Sequence, residues 1–120
     1  MQKNLNDRTK KFSLDIINLI EILPKNLAAS VIAKQLVRSA TSVGANYRAT
    51  RRARSDKEFI AKMRIVLEES DECGFWLELI VEKNWISSNI VNSALKESNE
   101  LTAIFVSTLR TIQARLDKVK

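Results

Sequence analysis

Basic side chains are concentrated in one short stretch of the chain. Between positions 48 and 64 there are two acidic residues, Asp56 and Glu58, and seven basic ones: Arg48, Arg51, Arg52, Arg54, Lys57, Lys62 and Arg64. This stretch, called the cationic segment below, therefore has a net charge of +5 out of the +6 of the whole chain. Guanidinium and ammonium groups bind phosphate oxygens, and several of them together attract a polyanion. The segment is thus a candidate site for RNA or DNA phosphates.

The arginines of this segment also admit a purely structural interpretation. Arg48 to Arg54 lie where a helix is predicted to end, and cations there stabilise the negative end of the helix dipole by roughly 0.3–1 kcal/mol each. Four guanidiniums exceed what that role requires, so a solvated helix end and an anion-binding site both remain open. Tyr47 and Phe59 are the nearby aromatic residues, which makes base stacking a minor expectation.

A cluster of carboxylates follows the cationic segment. It consists of Glu68, Glu69, Asp71 and Glu72. Paired carboxylates can transfer protons or bind hard cations. However, antiparallel pairing of the two central helices would bring Gln35 and Arg38 beside this cluster, so an ion-pair ladder at a helix or subunit contact is the favoured interpretation.

Several classes of active site are excluded by composition. The chain has no histidine and one cysteine, Cys73, so it cannot assemble a Ser-His-Asp triad, a Cys/His zinc site or an intrachain disulfide. It also has no glycine-rich phosphate loop. We therefore predict a protein that is not an enzyme and has no cofactor or metal, with a carboxylate-based hydrolase as a minor alternative.

Four stretches have the spacing of amphipathic helices. The first runs from about Asp7 to Leu23, where Phe12, Ile16, Leu19 and Leu23 share one face, and Pro24 ends it. In the second, the same spacing runs from an Asn26 cap to about Arg52. A third helix is predicted to begin at a Ser55–Glu58 capping box and to end near Asn84. A fourth begins at Ser87 or Ser88.

The predicted core faces continue through the last two helices. The third helix has a heptad stripe with a second apolar stripe beside it: Phe59, Met63, Val66, Ser70, Cys73, Leu77 and Ile80, then Ile60, Leu67, Gly74 and Val81. The fourth has an apolar face made of Ile90, Leu101, Ile104, Phe105, Thr108, Leu109, Ile112, Leu116 and Val119.

These helices and their short connections predict an all-α fold. Neighbouring helices joined by short loops pack antiparallel, which gives a single up-down-up-down four-helix bundle over residues 1–120. No apolar run approaches the roughly 20 residues needed to span a bilayer, and the polar N-terminal sequence lacks the apolar core of a secretory signal. The sequence predicts a cytoplasmic protein that does not associate with membranes.

Four residues near the apolar faces suggest helix or subunit contacts. Ser42 and Asn46 lie four apart beside the apolar seam of the second helix, where polar groups can select one alignment or oligomeric state. Gly44 in mid-helix costs about 1 kcal/mol relative to Ala, which the close approach of another helix would offset. Trp76 lies off the main seam of the third helix and is expected at the bundle rim or at a subunit interface.

The stretches SATSVGANYRATRRARS and FIAKMRIVLEESDECGFWLEL resemble the 23S ribosomal RNA intervening-sequence protein family. The resemblance covers nearly the whole chain and depends on Ser42, Gly44 and Asn46 in one helix and on Glu69, Glu72 and Trp76 in the next. It implies a bacterial four-helix bundle without enzymatic activity that assembles as a homopentamer. The family is similar to the basic accessory proteins of diversity-generating retroelements, which implies nucleic acid and a reverse transcriptase as possible partners.

Two functional hypotheses from different classes follow. The first is a non-enzymatic oligomeric bundle that binds RNA or DNA through the cationic segment. The second is a protein–protein interaction scaffold that does not bind nucleic acid.

Overall fold

The structure is a computed structural model and describes residues 4–119. It contains four helices in chain order: α1 (Leu5–Glu21), α2 (Leu27–Thr50), α3 (Asp56–Lys83) and α4 (Ser88–Val119). The described residues contain no strand, which confirms the predicted all-α four-helix bundle. The molecule is elongated, at 53 × 25 × 22 Å, because its longest helices have 28 and 32 residues.

Short polar side chains set the helix boundaries. The side chain of Asn26 accepts a hydrogen bond from Ala29 N at 2.9 Å, and that of Ser55 accepts one from Glu58 N at 3.1 Å, as the sequence predicts. Asn4 caps α1 in the same way through Asn6 N, so this helix begins two residues earlier than predicted. Helix α3 ends at Asn84, which has a left-handed φ of 55°.

The four helices enclose one apolar core. Its fully buried members come from every helix and include Phe12, Ile16, Leu36, Val43, Met63, Val66, Leu77, Leu101 and Phe105. Phe105 also stacks on Tyr47 of α2, with ring centroids 5.9 Å apart. Helix α2 packs against α1 and α3, and α4 packs against α3 and α1, so chain neighbours are also spatial neighbours.

Part of the predicted apolar faces is wrong in detail. Ile90 is 44% exposed, whereas Val91 beside it is buried; Phe59 is half-buried but packs against the core, as predicted. Val119 is 81% exposed. Val119 is exposed because α4 is longer than its partner. Arg115 already lies beside Asp56, the first residue of α3, and Val119 lies one turn further along α4.

Among residues 4–119, no helix combines the length and the apolar character that crossing a membrane requires.

Candidate nucleic-acid interface

The cationic segment forms one end of the bundle. It comprises the last turn of α2, the connection from Arg51 to Ser55 and the first turns of α3. Arg48, Arg51, Arg52, Arg54, Lys57 and Arg64 are all exposed, and Lys62 is half-buried. The loop therefore places these cations on one end surface rather than along the length of the molecule.

Both acidic residues of the segment already have cationic partners. Asp56 accepts from Arg115 of α4 at 2.9 Å, and Glu58 lies 3.6 Å from Nε of Arg54. Within the part of the chain that the structure describes, six basic residues of the segment form no ion pair: Arg48, Arg51, Arg52, Lys57, Lys62 and Arg64. These charges are available to an external anion.

The structure divides the segment between two edges of the bundle. Arg48 and Arg51 line a groove between α1 and α2 that also contains Lys10. Lys57 and Arg64 line another groove, between the start of α3 and the end of α4. Arg54 lies between the two, in a cleft at the α2–α3 connection. The sequence treats these residues as one patch, but they cannot all contact the same ligand group.

Some cations at this end were missed by sequence analysis of the segment alone. Lys10 from α1 joins the α1–α2 groove, and Arg115 from α4 reaches Asp56. Arg110 and Lys118 are exposed on the last turns of α4, whose C-terminal end lies at the start of α3. Antiparallel pairing of α1 with α2 and of α3 with α4, applied to the charged positions, would have predicted that these cations lie at this end.

The carboxylate cluster behaves differently from the cationic end. Arg38 of α2 donates to Glu69 at 2.9 Å and also contacts Glu72, so the antiparallel pairing expected from the sequence is present. Glu72 accepts further bonds from Ser39 and from Nε1 of Trp76, the latter at 3.2 Å. The Ser39 bond, with those from Trp76 and Arg38, lowers the pKa of Glu72 below its usual value. These contacts connect α2 to α3 and leave no free carboxylate pair at Glu69 and Glu72.

The predicted contact residues of α2 lie on two different sides of that helix. Asn46 donates its amide to the carbonyl and hydroxyl oxygens of Ser42, at 3.0 and 2.9 Å, so these half-buried polar groups satisfy each other. Gly44 instead faces α1, where a Cβ atom would lie 2.8 Å from the Ser13 hydroxyl. The predicted close helix approach at Gly44 is therefore present.

Reactive chemistry finds little support among the described residues. Cys73 is fully buried, and burial raises the pKa of its thiol, which keeps it protonated and unreactive. Residues 4–119 contain no group of three or more Cys, Asp or Glu side chains placed to hold a metal ion.

Comparison with known proteins finds a matching family and a solved structure of the same fold. A family model described as 23S rRNA-intervening sequence protein matches residues 3–107. A solved protein of unknown function from the S23 ribosomal protein family of Bacteroides thetaiotaomicron is 33% identical, with a TM-score of 0.81 over 88% of this chain and 98% of that one. Comparison with curated proteins gives no significant match. Residues 108–119, on the last turns of α4, lie beyond the family match.

Proposed function

The chain belongs to the 23S rRNA-intervening sequence protein family, and from that premise we propose that it is a non-enzymatic, homo-oligomeric bundle that binds RNA or DNA phosphates through its cationic end. The observation that supports this most is the excess of exposed cations after the local carboxylates have been paired. Asp56 and Glu58 are neutralised by Arg115 and Arg54, yet cations remain on both edges of the same end.

Helix-end solvation does not explain this arrangement. The last turn of α2 contains one basic residue, Arg48. Arg51 is the C-cap of α2, where a cation also suits the dipole, but Arg54 lies beyond the cap and Lys57 belongs to the first turn of α3, where the helix dipole favours anions. Cations at a helix N-terminus are electrostatically unfavourable for folding, so an external anion is the better reason for them.

Self-association would multiply the charge of the cationic end. Large apolar side chains are exposed on the flanks of α2 and α3, including Val31 at 51%, Ile65 at 45% and Phe75 at 52%. The family resemblance implies a pentamer, in which five copies of the segment would contact one polyanion and strengthen weak individual sites. Light scattering that shows only a 13.7 kDa species at micromolar concentration would remove this part of the proposal.

The test of nucleic-acid binding is the salt dependence of affinity. Each phosphate contact on duplex DNA contributes about −0.9 to the slope of log affinity against log salt. Replacing Arg48, Arg51, Arg52 and Arg54 with Gln should flatten the slope by roughly two to three units and leave the helix content unchanged, since Gln and Arg are similar helix formers.

A matched control removes the same number of charges away from the cationic end. The control variant replaces four exposed lysines with Gln: Lys25, Lys34, Lys83 and Lys96. It should retain the wild-type slope. If the wild-type protein binds neither RNA nor DNA at low salt, or if both variants bind with the same slope, the nucleic-acid proposal is wrong.

The exposed apolar side chains favour a second candidate function. Leu27 is 83% exposed and Phe75 is 52% exposed, and both could dock a protein partner, for which a reverse transcriptase is one expectation from the family resemblance. A scaffold of this kind would ignore nucleic acid at about 0.15 M salt but would retain its partner there. Binding measurements at that salt concentration separate the two functions.

A further inference from the structure

We infer that the groove between the start of α1 and the end of α2 is a binding site for one phosphate group of a polynucleotide backbone. The inference rests on the proposed function and assigns a specific subsite to it. The groove has a volume of about 380 Å3. Its lining residues are Asn6, Asp7, Lys10, Gly44, Ala45, Arg48 and Arg51. Three of its side chains are cationic, and they come from two helices that are far apart in sequence.

The absence of a side chain at Gly44 creates this convergence. A Cβ atom there would lie 2.8 Å from the Ser13 hydroxyl and 3.5 Å from the Thr9 carbonyl oxygen, so even a methyl group would displace that hydroxyl. The close contact is supported by Ser13, whose hydroxyl donates to the carbonyl oxygen of Ala40 across the helix pair at 2.8 Å. As a result, Lys10 on α1 and Arg48 on α2 line the same groove.

Arg51 is oriented before any ligand binds. With the Asn6 amide turned so that its hydrogen bonds are satisfied, the amide oxygen accepts from Nε of Arg51 at 3.3 Å and from Nη1 at 2.8 Å. A guanidinium has five N–H donors, so three remain for another acceptor. Holding the guanidinium in place reduces the entropy lost when a phosphate binds, which favours this arginine over the freely exposed ones.

One residue of the groove opposes anion binding. Asp7 lines the same surface and has a negative charge, so the groove has three cations against one anion. Because the cations outnumber the carboxylate, the groove attracts a phosphodiester, which has a single negative charge. The charge of Asp7 also provides a test. Replacing Asp7 with Asn should strengthen phosphate binding, whereas a groove that contains only solvent would show no change in binding.

The groove on the opposite edge has a different character. Its two cations, Lys57 and Arg64, both come from α3, and its other lining residues are mainly apolar, including Ile60, Leu116 and Val119. Cations from one helix beside an apolar surface do not converge on a single phosphate.

The sharpest single substitution compares adjacent lysines on α1. Lys10 lines the groove, whereas Lys11 forms an ion pair with Asp15 at 2.8 Å and does not line it. The experiment measures affinity of the full-length protein for short mixed-sequence RNA and DNA by anisotropy. Lys10→Gln should weaken binding by about threefold to tenfold, and Lys11→Gln should leave it unchanged.

The number of phosphates is read from the salt slope. Because the three cations serve one phosphate, replacing Lys10, Arg48 and Arg51 together with Gln should flatten the slope by about 0.9 on duplex DNA or about 0.7 on a single strand. The control triple, with Gln at the exposed Lys25, Lys34 and Lys96 away from the cationic end, should leave it unchanged. Helix content and oligomeric state are checked for every variant by circular dichroism and light scattering.

The outcomes separate the groove from the proposed function as a whole. Wild-type protein that binds no nucleic acid overturns both. Wild-type protein that binds, together with equal effects of Lys10→Gln and Lys11→Gln or a greater effect of the control triple, overturns the groove alone. A triple variant that misfolds leaves the Asp7→Asn and Lys10→Gln results to decide, and unchanged affinity in both of those variants also overturns the groove.

Discussion

The α1–α4 contact and the cationic end of the bundle surround their arginines differently. Arg8 donates to Glu97 through Nε at 2.8 Å and Nη2 at 2.7 Å and reaches Glu100 at 3.0 Å, thereby joining α1 to α4. Arg48 and Arg52 have no carboxylate partner anywhere between residues 4 and 119. The position of acidic residues, rather than the number of arginines, therefore separates arginines that join two helices from arginines that have no carboxylate partner.

The polar groups inside the bundle follow the same logic. Ser70 and Thr102 hydroxyls lie 2.6 Å apart across α3 and α4, and Ser98 donates to the Ser70 carbonyl oxygen at 3.2 Å. No buried side-chain nitrogen or oxygen lacks a partner in the described part of the chain. The interior has therefore satisfied its polar groups, whereas Arg48, Arg52 and Arg64 at the exposed end have no carboxylate partner in the described chain.

The largest expected effect is a loss of stability from a core substitution that leaves the charge of the bundle unchanged. Phe105 is fully buried and stacks on Tyr47, so Phe105→Ala should lower the free energy of unfolding by about 3–5 kcal/mol. Phe75 is 52% exposed, and the same substitution there should cost less than about 1 kcal/mol. Chemical denaturation followed by far-ultraviolet circular dichroism measures both, and equal losses would mean that Phe105 is not part of the core.

A second experiment compares two arginine substitutions in their effects on stability and on nucleic-acid binding. Arg8 is four-fifths buried and makes three charge-assisted hydrogen bonds. These bonds, above all those to Glu97, raise the pKa of its guanidinium. Arg8→Ala should therefore cost about 1–3 kcal/mol of stability. Its salt slope for nucleic acid should be that of the wild type. Arg48→Ala should show the opposite, with unchanged stability and weaker binding. Similar results for the two variants would remove the distinction between the two groups of arginines.

A third effect is the acid sensitivity of the α2–α3 contact. Because hydrogen bonds from Ser39, Trp76 and Arg38 lower the pKa of Glu72 in the folded state, its ionised form stabilises the fold above the ordinary carboxyl pKa of about 4.3. That contribution is lost as pH falls below this value through the folded pKa. Glu72→Gln should therefore lose less stability than the wild type between neutral and acid pH.

The control for this measurement lies one helical turn away. Glu68 is exposed and forms no ion pair within the described chain. Glu68→Gln should keep the wild-type dependence of unfolding free energy on pH. A Glu72→Gln variant with that same dependence would contradict the assignment of the acid-sensitive contact to Glu72.

Local rules explain why the fold could be predicted and the site only in part. Asn26 and Ser55 cap their helices because a side-chain oxygen next to a first-turn amide acts locally, and Met63, Val66 and Leu77 repeat with the period of one buried face. The division of the cationic segment between two grooves depends on how far α1 and α4 extend beside it. Lys10 joins Arg48 through a tertiary contact at Gly44, which no local pattern around Arg48 reveals.

The smallest expected effect tests that tertiary contact directly. Gly44→Ala gains about 1 kcal/mol of helix propensity but forces the Ser13 hydroxyl from its place, 2.8 Å from the new Cβ, and with it the bond to the Ala40 carbonyl oxygen. The two effects nearly cancel, so the single variant should be close to wild type in stability. In a Ser13→Ala background the hydroxyl is absent, and Gly44→Ala should then stabilise the bundle by about 1 kcal/mol. Equal effects of Gly44→Ala in both backgrounds, measured by denaturation, would show that α1 does not approach α2 at Gly44. The groove that contains Lys10 and Arg48 depends on this approach. That outcome would therefore also mean that these two residues do not line the same groove.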